Sequence, residues 1–163
     1  HPADLDAHKL NITPLKDFET MGITDQETDL NVWRLKVEGL VERPFQLTYS
    51  QILALPAIER NVLLICPGFF ANHGRWKGIS MTALLEKAKI KNGATLVTFK
   101  GPEGNYEKTE SFYLKDAFSD KVFLAYEVNG KPLPKKHGFP LRVVAEDHYG
   151  FNWVKYVHKI RVD

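Results

Sequence analysis

The chain has 163 residues, a hydrophobic fraction of 44%, an aromatic fraction of 12% and a formal net charge of +2 at pH 7. This length corresponds to one ordinary domain that can bury a sizeable core. The small net charge gives no support for binding to nucleic acid or to an anionic membrane surface. No apolar run approaches the ~20 residues of a membrane-spanning helix. We therefore expect a soluble domain that binds no nucleic acid and does not itself span a membrane.

Residues 1–30 are polar and irregular, and they predict an N-terminal arm that wraps a single domain over residues 31–163. The chain begins at His1 rather than Met. Removal of an export leader or trimming of the sequence would explain this start. The first explanation suits a periplasmic or otherwise extracytoplasmic protein.

The first half of the domain predicts short elements separated by turns. Apolar and charged residues alternate in the first strand, and Ser80 has the character of a helix N-cap. The predicted elements are a strand over residues 33–38, a helix over 50–54, a strand over 61–65, a loop over 69–75 and a helix over 80–89.

The second half is richer in strands. Asn129 and Gly130 predict a tight hairpin turn. The predicted elements are a strand over residues 95–99, a turn region that includes Gly104 and Asn105, a helical turn over 114–118, and strands over 122–128, 141–145 and 154–162. Strands outnumber helices and do not follow a strict βαβ order. This pattern predicts an α+β fold with mixed β-sheets and a few short helices.

Cys66, the single cysteine, follows the predicted strand over residues 61–65 and precedes Pro67 and Gly68. A thiol at the end of a strand can point into a cleft, where it would serve as a soft metal ligand or as a nucleophile. The alternative is a small buried apolar side chain, which is the common role of a lone cysteine.

A second group of candidates lies near the C-terminus. His137 and Arg142 flank a Gly-Phe-Pro segment, and Lys155 follows Trp153 and Val154. Arginine can bind phosphate with its planar guanidinium, lysine provides a point charge, and cysteine provides a sulfur ligand for a soft metal. Together these residue types suit an anionic, metal-bearing cofactor. The alternatives are a surface loop with solvated charges and, for Trp153, simple packing in the core.

These residues also carry a family resemblance. The order and spacing of several short motifs resemble the molybdopterin-binding domain of the sulfite oxidase family. The motifs are residues 33–39, residues 47–49, Cys66 with residues 76–78, residues 124–134, residues 137–142, residues 149–150 and residues 153–155.

The resemblance implies specific roles. Cys66 would supply the thiolate ligand of molybdenum in a molybdenum–molybdopterin cofactor. His137, Arg142 and Lys155 would contact the pterin and its phosphate. The further cofactor-binding residues that the resemblance implies are Trp153 and Val154 beside Lys155, and Phe18, Glu19 and Thr20 in the arm.

The implied activity is oxygen-atom and electron transfer on a small oxo substrate such as a sulfoxide. The chain ends soon after its last predicted strand. It is therefore more similar to single-domain bacterial members, which include a periplasmic enzyme that reduces methionine sulfoxide, than to sulfite oxidases with a dimerisation domain. Such members receive electrons from a separate partner, a haem protein or a quinone-linked membrane subunit. Sulfite oxidases place arginine soon after the cysteine, and residues 67–70 here are Pro-Gly-Phe-Phe, which argues against sulfite.

Several alternatives stay open. The chain would also fit a cofactor-free binding or assembly module of the same fold, or a pterin carrier without turnover. His73 and Arg75 either bind an oxyanion or are solvated loop residues. Asp147 and His148 either form a metal site or proton relay, or belong to an ordinary polar turn.

Overall fold

The structure, a computed structural model, describes Ala3, residues 10–102 and residues 108–163. Within these ranges the chain forms ten strands and three α-helices. The strands are β1 Leu35–Gly39, β2 Phe45–Leu47, β3 Ala57–Cys66, β4 Phe70–Ile79, β5 Leu96–Lys100, β6 Thr109–Tyr113, β7 Val122–Val128, β8 Lys131–Pro132, β9 Arg142–Ala145 and β10 Lys159–Val162. The α-helices are α1 Tyr49–Leu53, α2 Met81–Ala88 and α3 Leu114–Phe118, and short 3-10 helices cover Leu15–Asp17, Lys135–His137 and Gly150–Asn152.

The strands form two sheets. In the first sheet the order is β2-β1-β10-β5-β6, with β1 parallel to β10 and the other pairs antiparallel. In the second sheet β3, β4, β7 and β8 follow one another, β9 also pairs with β7, and all the pairs are antiparallel. The first sheet is therefore mixed, and the helices are few and short, as the predicted α+β class requires.

The helix ends follow from local side-chain chemistry. The Ser80 hydroxyl accepts a hydrogen bond from the amide of Ala83 at 3.3 Å and caps α2, as predicted. The hydroxyl of Thr48 and the side chain of Gln51 form a capping box at the start of α1. The buried face of α2 repeats at helical spacing and joins one apolar core with side chains from both sheets and α3.

The hairpin of β3 and β4 corrects one prediction. Residues 70–75 were predicted as part of a loop, but they belong to β4, which pairs with β3 over ten consecutive residue pairs. Only the tight turn around Gly68, where φ is +81°, separates the two strands. Two polar residues in this stretch, Asn72 and His73, form hydrogen bonds to the N-terminal arm.

The last predicted strand is also shorter than expected. Residues 154–162 alternate in polarity, but only Lys159–Val162 forms β10. Tyr156 adopts a left-handed conformation with φ +59°, which breaks the extended ladder. The amide of Val157 donates to the carbonyl of Leu141 at 3.0 Å, and the segment bends across the start of β9.

The remaining predicted elements are present with ends that differ by a few residues. The Asn129–Gly130 turn joins β7 to β8 with φ values of +51° and +82°, as the hairpin signal predicted. The short strands β2 and β6 were not predicted. The predicted turn at Gly104 and Asn105 lies outside the described residues. No helix among the described residues is long and apolar enough to cross a membrane.

Candidate functional site

Cys66 is the last residue of β3 and lies opposite Phe70 of β4. The adjoining turn is closed by a hydrogen bond from the amide of Phe69 to the Cys66 carbonyl at 3.0 Å. The thiol is free and half-buried. The hairpin thus presents the thiol at the end of a rigid pair of strands, as predicted for a strand-end cysteine.

A cavity of about 600 Å³ opens beside this thiol. Its floor includes Arg142, which is only 3% exposed, and its mouth includes Phe69 and Phe151, which are 71% and 62% exposed. Five predicted site residues line the cavity: Thr20, Cys66, Arg142, Trp153 and Lys155. The other four, Phe18, Glu19, Val154 and His137, lie outside its wall.

Arg142 begins β9 and is held by the backbone around it. Its Nη1 donates to the His137 carbonyl at 3.1 Å and its Nη2 to the Trp153 carbonyl at 3.3 Å, while Nε has no partner. The guanidinium also lies over the rings of Trp76 and Trp153, 5.4 and 5.8 Å from their centroids. Burial lowers the pKa of Arg142 to about 10, so the group stays charged at neutral pH.

Lys155 lies beside Arg142 through an isolated β-bridge. Its Nζ donates to Thr20 Oγ1 at 2.9 Å and to the carbonyls of Met21 and Ile23 at 2.9 and 2.5 Å. Burial, followed by repulsion from Arg142, lowers the pKa of Lys155 to about 8. Among the described residues, no aspartate or glutamate forms an ion pair with either cation. Two neighbouring cations therefore face the cavity without a carboxylate to balance them.

The nearby cations affect the pKa of the Cys66 thiol. Burial raises the pKa of the thiol, and the charges of Arg142, Lys108 and Lys155 oppose that rise. The thiolate is the form that binds a soft metal. The cations thus offset part of the burial effect that disfavours the thiolate of Cys66.

His137 ends the 3-10 helix before β9 and is 1% exposed. Neither ring nitrogen has a hydrogen-bond partner. Burial, followed by repulsion from Arg142, lowers the pKa of His137 to about 4, so the imidazole is neutral at pH 7. The following Gly138 has φ +110°, and a Cβ there would lie 3.1 Å from both Arg142 Cβ and Lys155 Cγ. Glycine at this position lets the three polar residues pack together.

The arm runs along the edge of this site. Phe18 is buried with its ring centroid 5.9 Å from that of Trp76 and 5.6 Å from that of His137, as expected for a packing anchor. The Asn72 amide fixes the Glu19 backbone from both sides, accepting from its N–H at 3.2 Å and donating to its carbonyl at 2.8 Å. These bonds place Thr20 within reach of Lys155.

Sequence reasoning missed Asn72 and gave His73 a different role. The His73 amide donates to Thr13 Oγ1 and its carbonyl accepts from the Thr13 amide, both at 2.8 Å, while its Nδ1 lies 3.1 Å from the Asn11 carbonyl. His73 therefore faces the arm and does not line the cavity. The only sequence signal for this role is weak: two adjacent polar residues, Asn72 and His73, between Phe70 and Trp76.

The other polar candidates lie away from the cavity. Arg75 is exposed and pairs loosely with Glu59 at 3.8 Å. Asp147 pairs with Lys121 at 3.2 Å, and the His148 ring packs edge-on against Phe112. In the part of the chain that the structure describes, no group of three or more histidine, cysteine, aspartate or glutamate residues could hold a metal ion.

Comparison with known proteins agrees with this geometry. Residues 21–163 match the model of the oxidoreductase molybdopterin-binding domain. The chain belongs to this family. The sulfite-oxidase-type fold and the molybdopterin cofactor, both predicted from sequence resemblance, are thereby confirmed.

Several members of the family are similar over most of the chain. It is 33% identical over 134 residues to the uncharacterized oxidoreductase YuiH of Bacillus subtilis (strain 168), covering 82% of this chain and 66% of that protein. It is 31% identical over 145 residues to the protein-methionine-sulfoxide reductase catalytic subunit MsrP of Gluconobacter oxydans (strain 621H), and the match covers 80% of this chain and 46% of that protein. The structure of the sulfane dehydrogenase SoxCD of Paracoccus pantotrophus superposes with a TM-score of 0.76 at 25% identity. This match covers 84% of this chain and 39% of the SoxCD chain. The chain thus spans less than two thirds of the length of each.

The site of this family member has the chemistry that a molybdopterin cofactor requires. The cofactor carries an anionic phosphate, and the cavity floor holds two cations, Arg142 and Lys155, that no described carboxylate balances. Arg142 Nε, on the cavity floor, and both ring nitrogens of His137, outside the cavity wall, are buried polar atoms without a hydrogen-bond partner. Cys66 supplies the sulfur that a soft metal prefers. The residues present therefore fit the group.

Proposed function

We propose that this protein is a molybdenum-cofactor-dependent oxidoreductase that transfers an oxygen atom from a small oxo substrate such as a sulfoxide. The observation that carries the proposal is the convergence of Cys66, Arg142 and Lys155 on one cavity. A cysteine sulfur and two cations that no described carboxylate balances lie in one cleft, and this combination suits a metal-bearing anion. When bound, the cofactor supplies the oxygen-atom and two-electron chemistry.

In this proposal the cations hold the cofactor. Arg142 presents a planar fork for the phosphate, and Lys155 adds a point charge next to it. His137 is neutral at pH 7, so its ring can donate one hydrogen bond and accept another without adding to the positive charge. Cys66 acts as thiolate ligand of the metal and is the catalytic residue of the chain.

The remaining predicted residues would complete the binding site. Trp153 lines the cavity and contributes its carbonyl to Arg142, and the carbonyl of Val154 accepts from the Val143 amide at 2.8 Å. Both therefore fix the backbone that carries Lys155. Phe18, Glu19 and Thr20 would close the cofactor from the arm.

The proposed reaction converts a sulfoxide, two electrons and two protons into a thioether and water. The sulfur–oxygen bond breaks, sulfur is reduced, and the oxygen leaves as water. The two electrons come from a separate electron-transfer partner, a haem protein or a quinone-linked membrane subunit. The resemblance described above suggests an extracytoplasmic location, where such donors are available to the single-domain members.

The walls of the cavity mouth favour an organic substrate. Phe69, Phe70 and Phe151 line the cavity near the thiol. Aromatic side chains of this kind stabilise apolar substituents through burial. No arginine follows Cys66 in the adjoining turn, where sulfite oxidases were expected to have one. An aryl or alkyl sulfoxide suits this mouth better than a bare inorganic oxyanion, and MsrP, one of the relatives, is by name a reductase of methionine sulfoxide in proteins.

Steady-state reduction of methyl phenyl sulfoxide, with a reduced viologen as the electron donor, tests the proposal. The protein is produced in a host that makes the cofactor and is compared with the Cys66→Ser variant. We expect turnover by the wild type and a loss of about a hundredfold or more in the variant, since removal of a metal ligand alters the reactive centre more directly than the outer-shell changes that cost about 10–100-fold. Equal rates for the two proteins would overturn the mechanism. Absence of turnover in a cofactor-loaded wild type would overturn the sulfoxide assignment alone.

A further inference from the structure

Lys108 places a third cation on the cavity that the roles above do not use. It directly precedes β6, and its carbonyl accepts a hydrogen bond from the Gly101 amide at 2.8 Å, which fixes the backbone. Its side chain lines the same cavity as Cys66. Lys108 is exposed, whereas Arg142 is buried, so Lys108 lies at the mouth and Arg142 at the floor.

The Lys108 ammonium is close to the turn that covers the thiol. Its Nζ donates to the carbonyl of Phe151. The preceding residue, Gly150, packs so tightly on Cys66 that a Cβ there would lie 2.7 Å from Sγ. An ammonium group carries three N–H donors, so donation to one carbonyl leaves capacity for an acceptor inside the cavity.

This turn does not need Lys108 to hold its place. The side-chain amide of Asn152 donates to Glu110 Oε2 at 3.1 Å, which connects the turn to β6. The Trp153 amide donates to the Gly150 carbonyl at 2.9 Å, which closes the turn itself. A purely structural role would therefore duplicate bonds that already exist, and the lysine charge is available for a ligand.

We propose that Lys108 is a substrate-binding residue whose ammonium donates a hydrogen bond to the oxo oxygen of the substrate. The proposal rests on the proposed function and extends it to the recognition of substrate over product. A sulfoxide oxygen carries a partial negative charge and accepts strongly, whereas the thioether product has no oxygen. Lys108 therefore binds the oxidised molecule, and loss of the oxygen as water removes the contact that retains it.

The aromatic mouth determines which probes suit the test. Methyl phenyl sulfoxide is the substrate, and methyl phenyl sulfone is a matched ligand that keeps the oxygen acceptors. Methyl phenyl sulfide is the product and lacks them. The variants are Lys108→Met, which keeps most of the length of the side chain without its charge, and Lys108→Arg, which keeps the charge. Lys91→Met is the matched control, since Lys91 is exposed and does not line the cavity.

Four readouts are compared in each variant. They are molybdenum and pterin content, the visible thiolate-to-molybdenum absorption band, the Kd of the sulfone titrated on that band, and the KM and product-inhibition constant from steady-state kinetics. For Lys108→Met we expect unchanged cofactor content and an unchanged band. A charge-assisted hydrogen bond at a partly solvated site predicts a rise of about tenfold in the Kd of the sulfone and the KM of the sulfoxide. The inhibition constant of the sulfide should not change, and Lys108→Arg should restore most of the affinity.

The outcomes separate this proposal from the proposed function. Unchanged sulfone Kd and sulfoxide KM in Lys108→Met would overturn the role of Lys108 while leaving the reaction intact. A fall in cofactor content together with a shifted band would show a structural role instead and would equally overturn it. Wild-type protein that binds the sulfone through Lys108 but does not turn over the sulfoxide would support the binding role and reject the proposed reaction. Wild-type protein without molybdenum and pterin would reject both.

Discussion

Gly150 and Cys66 pack so closely that a Cβ on the glycine would lie 2.7 Å from the cysteine Sγ. The same Cβ would lie 2.9 Å from Leu64 Cδ1 and 3.3 Å from the Ile65 carbonyl. The short helix Gly150–Asn152 thus covers the end of β3. Because Gly150 has no side chain, the Cys66 thiol can lie at the cavity.

The first prediction concerns this contact. Gly150→Ala should displace the Cys66 thiol and lower molybdenum occupancy, with a destabilisation of about 1–3 kcal/mol from overpacking. Metal content and the thiolate-to-molybdenum band measure the first effect, and urea unfolding measures the second. Lys91→Ala is the control, because Lys91 is exposed and does not line the cavity. Full metal content and an unshifted band in Gly150→Ala would contradict the account.

The second prediction separates cofactor retention from stability at Arg142. Arg142→Met should remove most of the bound pterin yet change the free energy of unfolding of the cofactor-free protein by no more than about 1 kcal/mol. The reason is that removal of a buried, unbalanced charge offsets the loss of two carbonyl hydrogen bonds. Pterin fluorescence after gel filtration and urea unfolding give the two quantities. The exposed Arg161→Met variant is the control, and normal pterin retention in Arg142→Met would count against a phosphate role.

The third prediction concerns the pH dependence of stability through His137. Its pKa is lowered from an ordinary value of 6.5 to about 4 in the folded protein, mainly by burial. The unfolded chain therefore binds more protons between these values. Stability is complete well above pH 6.5 and falls as the pH drops toward 4, by about 3 kcal/mol.

Urea unfolding of the cofactor-free protein at several pH values between 7.5 and 4 measures this loss. The His137→Leu variant should show a shallower decline over that interval, because it has no imidazole to take up a proton. The substitution also removes no hydrogen bond of the ring, since neither ring nitrogen has a partner. An identical pH profile for the two proteins would show that His137 does not titrate as a buried neutral group.

The fourth prediction tests how the arm is held. Asn72→Asp keeps the oxygen that accepts from the Glu19 amide but places a second oxygen against the Glu19 carbonyl. The arm should loosen, and hydrogen exchange at the amides of residues 19–23 should accelerate by about tenfold. Asn61→Asp, on the exposed part of β3, is the matched control. Unchanged exchange in Asn72→Asp would show that the Asn72 side chain does not hold this part of the arm.

Local signals were sufficient for many elements of the fold. The cap at Ser80, the Asn129–Gly130 turn and the periodic face of α2 are short-range patterns, and each produced the structure that the pattern favours. Strand ends were less predictable. Tyr156 interrupts a stretch with good alternation because its left-handed backbone is imposed by neighbours from distant parts of the chain, such as Leu141.

In the candidate site, too, local patterns were recognised and long-range contacts were not. Cys66, Arg142, Trp153 and Lys155 were singled out from motif spacing, and the fold brings them to one cavity. Asn72 was not recognised, because its partner Glu19 is 53 residues away and no local pattern marks the contact. Lys108 was not recognised because a single lysine carries no pattern. Only the tertiary structure shows that it shares the cavity with Cys66.

The most direct test of the central claim is the molybdenum and pterin content of the purified protein, measured by elemental analysis and by fluorescence of the oxidised pterin. The protein is produced in a host that makes the cofactor, alongside the Cys66→Ser variant. The account predicts near-stoichiometric metal and pterin in the wild type, and loss of metal with retained pterin in the variant, because Arg142 and Lys155 still hold the phosphate. Wild-type protein that contains neither metal nor pterin would contradict the account and identify a cofactor-free binding or assembly module of the same fold.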